Sequence, residues 1–189
     1  NRGYDDPKAQ NGGISLKYAS HFPAMPELKK EVLLEVGFDK TAPNEPRDFT
    51  SWAMDRARET KVEVIDNRAR GVRCFNPEYT FVDKIQTICR RFRQHRDRND
   101  PKTDRPQNFL RHYYDLYMLL EVPRVKDFIG TDEYDAYKKQ KLKTTDAAEF
   151  ATRAAFLLKD AATYALFEKE FSAMDGMITP PRPRFADII

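Results

Sequence analysis

The stretch Arg111-His112-Tyr113-Tyr114-Asp115-Leu116-Tyr117-Met118-Leu119-Leu120 decides the fold prediction for this chain. Large apolar side chains recur in and just before it at helical spacing: Phe109, Tyr113, Leu116 and Leu120. This periodicity predicts an amphipathic helix with one buried stripe. Asp115 lies off that stripe, one turn after Arg111, where an ion pair between positions i and i+4 can form. Taken alone, the segment is typical of a core helix with an ordinary surface salt bridge.

A second amphipathic helix is predicted upstream. Its start, Asn76-Pro77-Glu78, suits a helix N-terminus, because Asn caps, Pro fits the first turn and Glu favours the positive end of the helix dipole. Lys84 lies at the edge of its apolar face. If the two helices pack together, Lys84 and Asp115 can meet beside one cleft, close enough for a hydrogen bond or one bridging water. Six side chains are then expected to share one core: Phe81, Ile85, Ile88, Tyr113, Leu116 and Leu120.

The composition is that of a folded protein with one domain or at most two. The chain has 189 residues, of which 40% are hydrophobic and 12% aromatic, so it is long and apolar enough to form a full core. Charged residues make up 33%, yet the formal net charge is only +3. The whole-chain charge therefore does not identify a partner, and the local distribution of charge has to carry that argument.

The cysteines, the histidines and the lengths of the apolar runs argue against a disulfide-stapled protein, a zinc protein and a membrane protein. The two cysteines, Cys74 and Cys89, are too few for a disulfide framework and are expected to be reduced, buried thiols in a cytoplasmic protein. The three histidines form no cluster with cysteine, which argues against a zinc site. No apolar run has membrane-spanning length and no signal peptide is visible, so we expect no membrane partner.

The predicted strands precede residue 76 and most predicted helices follow it. We therefore expect an α+β fold in which a small antiparallel sheet packs on a C-terminal helical layer, with a sheet-rich region 1–76 and a helical region 77–189. Several local predictions accompany this division. They are a loose arm (1–13), strands (14–19, 32–38, 62–65 and 72–75), a loop at Pro43 and Pro46, a helix anchored by Trp52 (49–57), an exposed loop (94–107) and later helices (132–141 and 161–174). Apolar and polar side chains alternate in the first strand with the period of a half-buried strand, and the apolar side chains of the second share one face. Residues 146–159 have helical composition, but their continuity with the next helix stays open.

These motifs together resemble the nucleotidyl transferase AbiEii/AbiGii toxin family. In that family an (F/W)xxK lysine opens one helix, as Phe81-Val82-Asp83-Lys84 does here, and an RHYYDLxxL or RDxxDLxxL aspartate lies in the next, as Asp115 does. Residues 15–18 and 32–37 are similar to the family's strands, and residues 164–174 and 183–185 to its closing helix and tail. The resemblance covers most of the chain, and it is the lysine and aspartate motifs jointly that make it specific.

The resemblance implies a polymerase-β-like nucleotidyltransferase fold that transfers a nucleotide from an NTP to an acceptor, in some members a tRNA end. Carboxylates of such enzymes hold Mg²⁺ on the triphosphate, and a lysine neutralises phosphate charge. By resemblance, Lys84 is the phosphate lysine and Asp115 orients either that lysine or the acceptor. Glu35 is the weaker candidate for a third, metal-binding carboxylate. Arg91 and Arg111 join Lys84 as expected nucleotide- or phosphate-binding residues.

One departure from the family is large. The family's first motif, Gly-Ser followed by Asp-x-Asp, supplies the main metal ligands, and neither pattern occurs in this sequence. The simplest explanation is that the family's N-terminal part lies before Asn1, so that this chain is the C-terminal two-thirds of a nucleotidyltransferase and inactive alone. The alternative is a degenerate relative that kept the helices and lost the chemistry.

Two functions from other classes remain open. Five arginines lie within nine residues, Arg90, Arg91, Arg93, Arg96 and Arg98, and such a cluster can pair with the phosphates of a nucleic acid. Taken alone, the cluster is more typical of a solvated helix face. The chain can also be a helical interaction partner, such as the surface of a toxin that an antitoxin covers, and the sequence does not separate this function from the enzymatic one.

Overall fold

The computed structural model describes the chain in several stretches: residues 2–6, 11–19, 21, 23, 31–38, 41–98, 106, 109–174, 178 and 181–189. The chain divides into two compact units, residues 1–41 and residues 42–189. All described strands precede residue 76, and they form two small antiparallel sheets. The predicted α+β class is therefore confirmed. The boundary between the two units follows Thr41, so the second sheet belongs to the same unit as the helices.

The first unit contains a three-stranded antiparallel sheet with the order β1-β2-β3. Its strands are β1 (Arg2–Asp6), β2 (Asn11–Lys17) and β3 (Glu31–Gly37). The predicted loose arm is wrong for the described residues before Ile14, because Arg2–Asp6 pairs with Asn11–Ser15 along its whole length. Strand pairing uses backbone groups, and it therefore does not require the apolar alternation that this polar stretch lacks.

The apolar face of this sheet is exposed, which the alternating pattern did not predict. In β2 and β3, Ile14 lies opposite Leu34 and Leu16 lies opposite Val32, so these four side chains share one face. Each of them is about half exposed. The pattern thus identified strands correctly, but the expected burial of these apolar faces is wrong for the described chain.

The second unit begins with a two-stranded antiparallel sheet, β4 (Asn44–Phe49) and β5 (Ala69–Phe75), with α1 (Trp52–Glu59) between them. The loop predicted at Pro46 is wrong: Pro46 pairs with Arg73, and a two-stranded sheet tolerates a proline because both of its strands are edges. No strand forms at residues 62–65. Trp52 is 84% exposed and does not anchor α1, whose buried residue is Met54.

Further helices of the second unit follow α2 (Pro77–Arg98). They are α3 (Arg111–Leu119), α4 (Pro123–Phe128), α5 (Asp132–Lys141), α6 (Thr144–Thr152), α7 (Ala154–Leu157), α8 (Ala161–Ser172) and α9 (Phe185–Ile188). Helices α3 to α7 all pack against α2. The open question about residues 146–159 is thereby answered: Arg153 and Leu158 adopt left-handed backbone conformations, φ +56° and +36°, that separate α6, α7 and α8.

The loop predicted for residues 94–107 is wrong at its start, where α2 continues to Arg98. Most of its remaining residues lie outside the described chain. The predicted helix start at Pro77 is confirmed, as is the helix at Asp132–Lys141. Among the described residues, no helix has both the length and the apolar character needed to cross a membrane.

The predicted two-helix core is present except at one position. Phe81, Ile85, Ile88, Tyr113 and Leu116 are all buried in one cluster. Leu120 is 37% exposed instead, and it is the capping residue at which α3 ends rather than part of its last turn. Both cysteines are free thiols, and burial raises the pKa of Cys89 to about 12. Cys74 is only half-buried, so its expected burial is only partly met.

The side chain of Tyr113 closes this core with a polar contact. Its hydroxyl donates a 2.7 Å hydrogen bond to the carbonyl oxygen of Ala155, and both residues are buried. We expect Tyr113→Phe to reduce the free energy of unfolding by about 1–2 kcal/mol, because it leaves a buried carbonyl without a donor. Urea unfolding measures the change. The matched control, Tyr114→Phe, removes the hydroxyl of a half-buried neighbour and should stay within about 0.5 kcal/mol; equal losses in both variants would contradict the prediction.

Candidate functional site

Lys84 of α2 and Asp115 of α3 form a hydrogen-bonded ion pair. The Nζ atom of Lys84 donates to Oδ2 of Asp115 over 2.6 Å. The expected meeting of the two side chains is therefore confirmed. Arg111, the alternative partner on the same helix, is exposed and has no ion pair within the described part of the chain. The pair follows from the packing of α2 on α3, because each residue borders a buried position, Ile85 or Leu116.

His112 is a third member of this site, and sequence reasoning missed it. Its Nδ1 atom lies 3.3 Å from Lys84 Nζ and 3.4 Å from Asp115 Oδ2. The available signal was its position three residues before Asp115, which places both side chains on one helix face. The side chains of Lys84, Asp115 and His112 are 28%, 36% and 14% exposed, so the cluster is partly shielded from water but open to a ligand.

The ion pair sets the charge state of Asp115. Burial raises the pKa of this carboxyl group, but the hydrogen-bonding contacts of His112 and Lys84 and the lysine charge together lower the pKa by more. The net pKa is below the ordinary aspartate value. Asp115 is consequently ionised at neutral pH, and Lys84 faces a full negative charge.

This lowered pKa makes the contribution of the pair to stability depend on pH in a defined direction. The contribution is fully present above the unfolded-state pKa of an aspartate, about 3.9, and is lost as the pH falls through the lower folded-state pKa. We expect Asp115→Asn to remove the part of the stability loss at low pH that comes from protonation of Asp115. At pH 7 the substitution should change the free energy of unfolding by at most about 1 kcal/mol, since the pair is partly exposed. Thermal unfolding between pH 2 and pH 7 measures both. If the loss of stability between pH 7 and pH 2 is the same in Asp115→Asn as in the wild type, the lowered pKa assigned to Asp115 is contradicted.

The cluster has hydrogen-bond donors and acceptors that no described residue pairs with. Lys84 has three N–H donors and two acceptors in contact with it, so one donor remains. Oδ1 of Asp115 and Nε2 of His112 have no hydrogen-bond partner among the described residues. A site with a spare ammonium donor, a carboxylate oxygen and an imidazole nitrogen can hold a phosphate group and a hydroxyl group beside one another.

The proposed metal-binding carboxylate lies in the other compact unit. Glu35 is in β3, opposite Gly13 of β2, and its side chain is exposed. The structure therefore does not bring Glu35 together with Lys84 and Asp115 within one unit. Within the described ranges, no group of three or more His, Cys, Asp or Glu side chains could hold a metal ion.

Two residues of the arginine cluster are used inside the fold. Arg93 contacts Oδ1 of Asp146 at 2.9 Å, and Arg96 contacts Oε2 of Glu149 at 2.7 Å. Both carboxylates belong to α6 and are buried. These ion pairs join α2 to α6, a contact for which the sequence offered no signal.

The other members of the arginine cluster differ from these two. Arg90 is exposed and Arg91 is half-buried, and neither has an ion pair in the part of the chain that the structure describes. The side chain of Arg98 lies outside the described residues. A nucleic-acid surface on this helix therefore has two available arginines among the described side chains.

Comparison with known proteins gives one match. The model of a family described as nucleotidyl transferase AbiEii toxin, Type IV TA system, matches residues 2–189. No curated protein and no solved structure matches significantly. The family match covers both compact units and includes all three residues of the Lys84, Asp115 and His112 cluster.

Proposed function

We propose, from the premise that this chain belongs to the nucleotidyl transferase AbiEii toxin family, that Lys84 and Asp115 are the phosphate-handling pair of a nucleotidyl-transfer site. The family suggests nucleotidyl transfer in a toxin–antitoxin system. The observation that carries the proposal is the 2.6 Å hydrogen bond between Lys84 and Asp115. It joins, across two helices, the two residues that match the family's lysine and aspartate motifs.

The substrate in this proposal is an NTP, and the acceptor carries a hydroxyl group, as the end of a tRNA does. The acceptor oxygen attacks the α-phosphate, the bond from the α-phosphorus to the bridging oxygen of the β-phosphate breaks, pyrophosphate leaves, and the hydroxyl proton passes to solvent. Lys84 places a positive charge beside the phosphates, where negative charge develops as the pyrophosphate departs. Asp115 fixes the position of that ammonium group and offers Oδ1 to the acceptor. The exposed guanidinium of Arg111 and the half-buried one of Arg91 are available for further phosphate contacts.

Mg²⁺ is implied by the family chemistry, but the described residues do not fit a magnesium site. They contain no cluster of three possible ligands, and the sequence has neither a Gly-Ser pair nor an Asp-x-Asp motif. Glu35 lies in β3 of the first unit, and Lys84 and Asp115 lie in the second. We therefore assign no metal-dependent step to this chain. The proposal is limited to phosphate binding and orientation by residues of α2 and α3.

We expect this chain alone to transfer no nucleotide from any NTP in the presence of Mg²⁺, because it lacks the family's main metal-binding motif. The test incubates the chain and the complete gene product with each labelled NTP, Mg²⁺ and total tRNA, and measures label in the RNA. Transfer by the complete gene product, but not by the chain alone, supports the proposal. Incorporation by the chain alone would contradict the assignment of its missing motif, and no incorporation by either protein would contradict nucleotidyl transfer to tRNA.

The second candidate function is a catalytically silent nucleic-acid-binding or protein-interaction module. The exposed Arg90 and the half-buried Arg91, which have no ion pair among the described residues, favour it. Phosphate binding by arginines weakens with salt, because each contact releases condensed counterions. Arg90→Ala with Arg91→Ala should therefore weaken RNA binding and reduce its salt dependence, and unchanged RNA binding would reject this surface. A cognate antitoxin is the expected protein partner in either function.

A further inference from the structure

Two charged groups contact the same nitrogen atom of the His112 imidazole, and this atom can form a hydrogen bond with only one of them at a time. Its Nδ1 atom lies 3.3 Å from the Lys84 ammonium and 3.4 Å from the Asp115 carboxylate. Nδ1 either carries a lone pair, and accepts from Lys84, or carries a hydrogen, and donates to Asp115. The two contacts are therefore alternatives, and the proton on Nδ1 selects between them.

The neutral ring with its lone pair on Nδ1 and the imidazolium, which has hydrogen on both nitrogens, hold Lys84 differently. With a lone pair on Nδ1, the ammonium group is held by two acceptors, Asp115 and His112, and the cluster has no net charge. With an imidazolium, His112 loses its acceptor and places a second positive charge close to the Lys84 ammonium. The imidazolium then donates to Oδ2 of Asp115, the same oxygen that Lys84 uses. Lys84 then loses one of its two acceptors, shares Oδ2 of Asp115 with the imidazolium, and lies in a cluster that has gained a net positive charge.

We propose that His112 is a positioning residue that frees one N–H donor of Lys84 for a phosphate group when its ring becomes an imidazolium. This inference rests on the proposed function, because it takes the ligand of Lys84 to be a polyphosphate. It follows that a polyphosphate and a proton on His112 bind cooperatively: the anion favours the positively charged cluster, and the charged cluster favours the anion. Histidine is suited to this role since its charge changes near physiological pH.

The charges around His112 come from two helices. Lys84 faces it from α2, and Asp115 faces it from its own helix, α3. Helix α9 also packs on α3, and its acidic residue Asp187 is paired with Arg184 at 2.7 Å. Among the described residues, the charged side chains that contact the His112 ring are Lys84 and Asp115.

Binding of inorganic triphosphate at pH 8 and pH 6 tests the inference. The ratio of the dissociation constant at pH 8 to that at pH 6 is measured by calorimetry for the wild-type chain and for His112→Asn. Asparagine keeps an acceptor near the position of Nδ1 but does not titrate, and the protonation of triphosphate itself affects both proteins equally. We expect the ratio to be about tenfold larger for the wild-type chain, as for one added charge beside an anion. His21→Gln, which removes an exposed histidine, should retain the wild-type ratio.

A spectroscopic measurement keeps the test independent of how the variant folds. The ¹⁵N chemical shifts of the wild-type imidazole report which nitrogen carries hydrogen. We expect an unprotonated Nδ1 in the free chain at pH 8, and hydrogen on both ring nitrogens with saturating triphosphate, since a neutral ring whose hydrogen has only moved to Nδ1 adds no charge. Equal pH ratios in wild type and His112→Asn, or an Nδ1 whose state does not respond to triphosphate, overturn this inference alone. A wild-type chain that binds no triphosphate at either pH overturns the phosphate site and the inference with it.

Discussion

Lys84→Ala in the complete gene product is expected to reduce the rate of nucleotide transfer by about 100-fold to 1,000-fold, while the fold stays intact. A charged donor placed where negative charge develops contributes an effect of that size. The Lys84–Asp115 pair is partly exposed, so its removal should lower the free energy of unfolding by no more than about 1 kcal/mol. Transfer of labelled nucleotide and thermal melting, measured on the same preparation, give both quantities.

Asp115→Ala should have the same signature, since the aspartate positions the lysine. Lys126→Ala is the matched control: it removes an exposed lysine of α4, and we expect both activity and melting temperature to stay near those of the wild type. A gene product that remains active after Lys84→Ala or Asp115→Ala would reject the site, however short the hydrogen bond between the two residues is. A large loss of stability in either variant would instead indicate a structural pair.

Arg93→Met is expected to cost about 3 kcal/mol of unfolding free energy, the largest stability effect that we predict for this chain. Its partner Asp146 is only 2% exposed, and Arg93 supplies the positive charge at 2.9 Å. Removing that charge leaves a buried carboxylate with one hydrogen bond, from Gln86 over 3.0 Å. Breaking a buried ion pair from one side typically costs about 3–5 kcal/mol, because the remaining charge is not compensated.

Arg90→Met provides the comparison, because it makes the same substitution on the same helix at an exposed position. We expect its unfolding free energy to lie within about 0.5 kcal/mol of the wild type. Urea unfolding of the two variants measures the difference. Similar values for both would show that Arg93 does not stabilise the fold through Asp146, and would return Arg93 to the group of arginines available for a nucleic acid.

Local sequence determined most of the helices and strands. The capping and first-turn residues at Asn76-Pro77-Glu78 predicted the start of α2, and that start is confirmed. Alternating apolar residues identified β2 and β3, but not which of their faces is buried, because that depends on what packs against the sheet. β1 and β4 escaped prediction since their pairing uses backbone groups, and their side chains carry no strand pattern.

The sequence by itself predicted that Lys84 and Asp115 can meet, because two apolar stripes with helical spacing indicate which faces pack, and both residues border those stripes. Only the tertiary structure decided which other groups meet there. Asp115 contacts Lys84 and His112 rather than Arg111, and Arg93 and Arg96 pair with buried carboxylates of α6. Partners such as Asp146 and Glu149 lie more than fifty residues away in the chain. Arginine side chains are long and can pair with many different carboxylates. The carboxylate that each one contacts is therefore set by the helices packed around it and not by the spacing of the arginines in the sequence.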